Sequence, residues 1–269
     1  MNAQVYTKNE SLLCANNIGL QYGEKVILRD INFCIKDIHR PDMQQGQVVS
    51  LIGRSGIGKT QLFKILAGLN KPTSGEILID VDQHPVVAGE VGIVPQNYIL
   101  FNHRTIYQNL KIGLDNGTVK LTDAEKKMVI QDYAHTFQLT EHLEKYPAQL
   151  SGGQRQRVSI IQQVLTGNKF ILLDEPFSGL DMVMINKVIQ LLLKVSTIQE
   201  TNTLILVSHD IVNAAAISDT VWVLGTTPEK EGATIIKEYD LCAMGLAWQP
   251  EIRKEPEFHS LVHDIQDLL

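Results

Sequence analysis

Several short polar runs along this chain have the residue types and spacings that phosphate chemistry needs. Gly53-Arg54-Ser55-Gly56-Ile57-Gly58-Lys59-Thr60 fits the pattern G-x-x-x-x-G-K-[ST]. Its glycines let the backbone curl with the N–H groups inward, and a helix starting there aims its positive end at an anion. In that arrangement Lys59 reaches the β- and γ-phosphates and Thr60 places its hydroxyl on Mg²⁺. The apolar run Phe170-Ile171-Leu172-Leu173 ends in Asp174-Glu175-Pro176. Asp174 suits a Mg²⁺ ion held through water, and Glu175 suits a base that takes a proton from attacking water or orients it. In Leu150-Ser151-Gly152-Gly153-Gln154-Arg155-Gln156-Arg157, Ser151 is a helix N-cap and the two glycines allow close approach to an anion. The helix end behind them carries roughly half a positive charge.

Each run alone has a plainer reading: a chance glycine turn, a strand ending in solvated acids, a capped helix. Their order and the length of the last run favour the chemical reading. Leu150–Arg157 is similar to the signature of the ATP-binding cassette (ABC) ATPases, which the chain resembles across most of its length. That resemblance implies ATP and Mg²⁺ as ligands. It puts Tyr22 against the adenine, Gly53 to Gln61 around the phosphates, and Thr60, Gln96 and Asp174 around the metal. Glu175, His209, Gln96 and Lys59 are then the catalytic set. Gln96, in Val94-Pro95-Gln96-Asn97, touches Mg²⁺ or the water, and His209, in Ser208-His209-Asp210, holds the γ-phosphate. Ser151, Gly152, Gly153 and Gln154 face a nucleotide bound by another subunit, and Asp181, in Ser178-Gly179-Leu180-Asp181, crosses to that partner. Each ATP then lies between the phosphate loop of one copy and the signature of the other, so one chain is half of a machine. Gln61 stands where a second hydroxyl residue is usual, with little effect expected. Ser159-Ile160-Ile161-Gln162-Gln163-Val164-Leu165 departs from the usual Ala-Arg-Ala-Leu ending and puts a contact on that helix in doubt.

The elements that must position these residues follow from periodicity. Val48 to Ile52, Phe170 to Leu173 and Thr203 to Val207 are continuous apolar runs, as expected of strands buried on both faces of a parallel sheet. Val221 to Leu224 reads the same way. Leu12 to Leu28 alternates and breaks at Gly23, a hairpin pattern that Ile31 to Ile35 continues. Asp37 to Gly46 reads as a loop. A helix follows the phosphate loop to near Gly68, and Glu76 to Asp80 and Gly92 to Pro95 read as strands. Asn97 to Gln149 is mostly helical, with Thr122 and Glu125 spaced as a capping box. Glu257 to Leu269 has helical apolar spacing, read as packing against this domain.

With 44% hydrophobic residues the 269-residue chain can build a sizeable core, which excludes global disorder. Its 24 basic and 30 acidic residues leave a net charge of −6, which argues against a nucleic-acid partner. Cys14, Cys34 and Cys242 have no CxxC spacing and read as reduced thiols, not a metal site. His259 and His263 read as a solvated helix face. Met1 to Ser11 has no apolar leader segment, and no apolar run approaches the roughly 18 residues of a spanning helix.

The expected fold is α/β: a P-loop NTPase core with an N-terminal antiparallel β-subdomain and a helical subdomain, about 97–165, inserted in it. The expected domains are 12–225 for the ATPase and 226–269 for a short C-terminal extension ending in an amphipathic helix. The resemblance implies an ATPase subunit that dimerises on ATP, as a homodimer or paired cassette, and drives transport through separate transmembrane permease subunits. Import is the expected direction, an external solute-binding protein is left open, and the place is the cytoplasmic face of the inner (plasma) membrane. Phe101, Arg104, Ile106 and Tyr107 are the candidate contacts to the permease, with Phe101 and Ile106 reading equally well as the helical subdomain's own core. The alternatives are a soluble ABC ATPase of translation or DNA-repair type, and an assembly protein that binds ATP without turnover. One cassette per chain, no long coiled coil, and intact Glu175 and His209 count against them.

Overall fold

The computed structural model describes residues 6–39, 46–196, 202–228 and 230–269. The chain opens with two long strands, β1 (Thr7–Tyr22) and β2 (Lys25–His39). They form an antiparallel hairpin about Gly23, whose φ of 59° suits a residue without Cβ. The strand after the hairpin runs further than expected. Ile31, Phe33 and Ile35 point inward at period two and Ile38 is also buried, so β2 continues through Asp37 to His39. The rest of the expected loop, 40–45, lies outside the described residues.

The antiparallel register sets Cys14 opposite Cys34, with Cα atoms 4.2 Å apart, and the two form a disulfide. This corrects the reading of both as reduced thiols. A separation of 20 residues carries no pairing signal until the hairpin register is known. Cys242 is buried and free of any disulfide.

Next come β3 (Gln47–Gly53), α1 (Lys59–Leu66), β4 (Ser74–Ile79), β5 (His84–Pro85) and β6 (Val91–Val94). The helical insertion holds α2 (Ile106–Asp115), α3 (Asp123–Thr136) and α4 (Gly152–Val164). Thr122 and Glu125 make the expected capping box. The chain then gives β7 (Phe170–Asp174), α5 (Met182–Ser196), β8 (Thr203–Ser208), α6 (Ile211–Ala215), β9 (Thr220–Thr227), β10 (Lys230–Asp240) and α7 (Pro256–Leu268).

Among the described residues all ten strands join one sheet, in the order β5-β4-β1-β2-β10-β9-β3-β8-β7-β6. The β9-β3-β8-β7-β6 part is parallel and the β5-β4-β1-β2 part antiparallel. All seven residues of β3 are buried. Val48 and Ile52 face a core shared with α2, α4 and α7, whereas Val49 and Leu51 face one shared with α1 and the hairpin. Burial on both faces is why this strand reads as a continuous apolar run. Residues 226–227 and 230–240, read as the start of an extension, complete β9 and form β10 on the sheet. In α7, Phe258, Leu261 and Ile265 are buried in the first core, as the apolar stripe requires.

Tertiary polar contacts on α4 answer the doubt about its unusual ending. Gln162 Nε2 donates to the Asn109 carbonyl on α2 (2.7 Å), and Gln163 Oε1 accepts from Ile93 N on β6 (3.3 Å). Gln162 thus ties α4 to α2 within the helical insertion, and Gln163 ties it to the sheet, without an arginine.

Asp219, fully buried, joins the sheet to the C-terminal residues. One carboxylate oxygen accepts from Val48 N (2.8 Å), and the other accepts from Trp248 Nε1 (2.7 Å) and the Cys242 thiol (3.4 Å). Removing the acceptor strands buried donors, so Asp219→Ala should lower stability by about 3 kcal/mol, measured by urea unfolding. A loss below ~1 kcal/mol would mean that these bonds do not anchor the segment.

Candidate active site

The phosphate loop joins β3 to α1. Gly58, with φ of 114°, precedes the first helical residue, Lys59, so the loop turns where only glycine is comfortable. A Cβ at Gly56 would meet nothing within 4 Å, which leaves that side of the loop open. Lys59 is nearly buried. Its ammonium donates to the carbonyls of Gly53 (2.8 Å) and Arg54 (3.1 Å) and pairs with Glu175 Oε1 (3.4 Å). A desolvated cation held by its own loop is a ready partner for an anion entering that loop.

The sheet puts the next pieces beside it, because β8 lies between β3 and β7 and their C-terminal ends adjoin. Asp174 closes β7. Burial and the adjacent Glu175 charge push its carboxyl above the usual range, while Lys59 and Lys64 pull it back. Glu175 has φ of 49°, a strained value for a non-glycine residue, and strain of this kind collects at functional sites. The bend aims its carboxylate at the end of β8. Glu175 Oε2 accepts from Ser208 Oγ (3.2 Å) and His209 N (3.2 Å) and lies 2.8 Å from His209 Nδ1. Gln96, following β6, donates from Nε2 to Ser178 Oγ (3.1 Å).

These groups line one cleft of about 750 Å³. Tyr22, Ser55, Gly56, Gly58, Lys59, Thr60, Gln61, Gln96, Asp174, Glu175 and His209 share it, all named from sequence. Gly53 and Arg54 serve through the carbonyls that hold Lys59, and Ile57 packs in the loop behind them. The oxygen donors Thr60, Gln96 and Asp174 at one cleft fit a hard divalent cation such as Mg²⁺.

Some expected site residues lie elsewhere. Ser151, Gly153 and Gln154 line a separate cleft of about 820 Å³ between α3, α4 and α5. Ser151 caps α4 in a reciprocal pair with Gln154, whose Nε2 also meets His142 Nε2 (2.8 Å). Gly152 is exposed, with open space where a Cβ would stand. Asp181 is exposed and accepts from Met184 N (2.9 Å), which caps α5. One copy of the chain therefore does not bring the signature to its own phosphate loop. Of the candidate permease contacts, Phe101 and Arg104 are exposed and stack at 5.8 Å. Ile106 is fully buried in the first core, so of its two readings the structure takes the core one.

Sequence reasoning missed several functional contacts. Ser208, beside His209, also donates to Glu175, and no motif signals that contact. Lys25 and Ser178 line the cleft. Gln61, treated as a departure of little effect, accepts from the Tyr22 hydroxyl (3.1 Å) and so steadies that ring.

The raised pKa of Asp174 makes the stability of the folded chain depend on pH. Folding disfavours the ionised form, so above the ordinary carboxylate range this group opposes stability, and the penalty fades as pH falls. Asp174→Asn should therefore raise the nucleotide-free Tm at pH 7.5 by about 2 °C by scanning calorimetry. The gain should vanish in acid, and Mg²⁺ should no longer add to ATP stabilisation. A lower Tm for the variant at pH 7.5 would contradict the sign.

Comparison with known proteins places this geometry in context. The family model described as ABC transporter matches residues 37–178. The chain is 35% identical over 213 residues to the spermidine/putrescine import ATP-binding protein PotA of Protochlamydia amoebophila, covering 77% of this chain and 54% of PotA. It is 38% identical over 185 residues to the thiamine import ATP-binding protein ThiQ of Yersinia pseudotuberculosis, covering 68% and 76%. The chain thus spans little more than half the length of the PotA relative. Among solved structures, cbiO1 of Clostridium perfringens, part of the ABC transporter complex cbiONQ, superposes with a TM-score of 0.73 at 26% identity, covering 96% of this chain and all of that one. The dimeric post-hydrolysis state of the cassette MJ0796 bound to ADP and Pi gives 0.68 at 26% identity, covering 86% and 99%.

Proposed function

The chain belongs to the ABC transporter family, and from that membership we propose that it is an ATP-hydrolysing subunit that dimerises on ATP to drive import through separate membrane subunits. The observation that carries the proposal is the cleft in which Lys59, Thr60, Gln96, Asp174, Glu175 and His209 converge.

Mg²⁺, when bound, supplies positive charge that draws electron density from the phosphates and settles the Asp174 carboxylate. The chain's own residues do the rest. Lys59 leaves the Gly53 and Arg54 carbonyls for phosphate oxygens. Its departure frees Glu175 Oε1, while Ser208 and His209 keep Oε2 in place. Glu175 can then accept the proton of the attacking water, and His209 remains in hydrogen-bonding reach of the departing phosphoryl group. Tyr22, steadied by Gln61, offers an exposed ring to the adenine.

Dimerisation is supported by the separation of Ser151 and Gly152 from the phosphate loop, and by the dimeric state of MJ0796. Import is supported by the import functions named for PotA and ThiQ. Among the described residues no helix is long and apolar enough to cross a membrane. Peripheral attachment at the cytoplasmic face, through the Phe101 and Arg104 surface, follows from this reading. A solute-binding protein would act on the permease, not on this subunit.

Glu175→Gln tests the central role. Loss of the base should slow ATP turnover by roughly 10²–10⁴-fold while leaving nucleotide binding intact. With Mg²⁺ and ATP the variant should run as a dimer on size exclusion, and cysteines at positions 55 and 151 should crosslink between copies. Unchanged turnover, or a monomer throughout, would remove the proposal's basis.

A further inference from the structure

Two aspartates beside the site loops act as helix caps. Asp181 caps α5, and Asp210, next to His209, caps α6 by accepting from Asn213 N (3.0 Å). Asp210 makes a second bond with the same residue, since its Oδ2 accepts from Asn213 Nδ2 (2.7 Å). Asn213 is only 7% exposed, so its remaining polar atom, Oδ1, needs a donor from within the protein. That donor comes from far along the chain: Arg253 Nη2, at 2.5 Å. The other arm of the same guanidinium, Nη1, donates to Asn186 Oδ1 on α5 (3.4 Å).

Arg253 is well placed to act as a fixed point. It lies in the short turn Ile252–Lys254, where Ile252 is buried. Upstream, Trp248 is anchored on Asp219, and downstream α7 is anchored in the core by Phe258, Leu261 and Ile265. A planar fork with donors on two arms can hold two amide oxygens at once, which a lysine ammonium on a flexible stem does less well. The path from Asn213 continues into the site. Asp210 N donates to Ser208 Oγ (3.0 Å), Ser208 donates to Glu175, and His209 lies between them.

We propose that Arg253 is a positioning residue: by bridging Asn186 and Asn213 it holds the loops that carry Asp181 and His209 at a set spacing, so that the C-terminal segment supports the ATP site from behind. The role rests on the ATPase reading of the cleft, which Arg253 itself does not line. It assigns a task to residues beyond the family-model match, which ends at 178.

The test uses the full chain with Arg253→Met, which keeps an apolar stem and removes both donors. Amide exchange over residues 213–216 should quicken about tenfold in the nucleotide-free protein, while the phosphate loop is unchanged. The ATPase kcat should fall about tenfold with KM for ATP within about twofold, since a small displacement of positioned groups costs chemistry more than binding. Arg253→Lys should restore part of the exchange protection. Asn213→Ala should produce the same kcat loss, and the double variant should be no worse than either single one. Unaltered exchange, a kcat equal to the parent's, or additive losses would each overturn the proposal. If the parent chain itself hydrolyses no ATP, the ATPase reading fails, and the exchange result still decides whether Arg253 holds the two helices.

Discussion

The contact on which the site depends is the one between Lys59 and Glu175 across the ends of β3 and β7. Two adjacent carboxylates at the end of an apolar strand repel each other, and burial worsens that repulsion. Lys59, helped by Lys64, is the cation that makes their closeness tolerable. It is also the residue that the phosphate loop must offer to a nucleotide. A single ammonium therefore serves two anions in turn, and the arrangement works only because the sheet sets β3 and β7 on either side of β8.

The fold can be read outward from that requirement. A parallel sheet aligns the C-terminal ends of its strands, so loops from β3, β6, β7 and β8 open onto one edge. Burial on both faces keeps those strands from shifting, because a slip by one residue would exchange the two cores that Val48 and Val49 separately fill. The hairpin brings Tyr22 to the same edge from the antiparallel side. Asp219 and α7 close the far side, so the C-terminal residues belong to the body that holds the site.

How much of this was legible in the sequence depends on how local each cause is. The phosphate loop, the β7 carboxylates, the Ser151 cap and the Thr122 capping box are contiguous runs whose geometry follows from a few neighbouring residues. They lie in the structure where their patterns say. The Cys14–Cys34 bridge depends on hairpin register, which periodicity does not give. β10 carries exposed Lys230, Glu231, Lys237 and Glu238, and so it lacks the apolar run that revealed β3 and β8. Ile106 opens an amphipathic helix, and only its packing against distant core residues shows that it points inward. The links from Gln61 to Tyr22 and from Arg253 to Asn213 cross 39 and 40 residues, between side chains that no motif pairs.

On the reading proposed above, the Lys59–Glu175 pair also keeps one carboxylate oxygen covered until a nucleotide arrives. Both carboxylate oxygens are then occupied, Oε1 by the Lys59 ammonium and Oε2 by Ser208 and His209, so neither is open to a water in the cleft. Binding of a triphosphate draws Lys59 away and leaves one oxygen open toward the cleft, so the same event that fills the site readies its base. His209 and Ser208 must stay still while this happens, because they fix the remaining oxygen and hence the direction of the open one. A strained backbone at Glu175 could not supply that stillness alone, since strain relaxes unless its surroundings resist it. The resistance comes from β8, from the Asp210 cap on α6, and from what packs behind α6. Rigidity on that side and mobility of a single lysine on the other are together what allow one charge exchange to separate binding from hydrolysis.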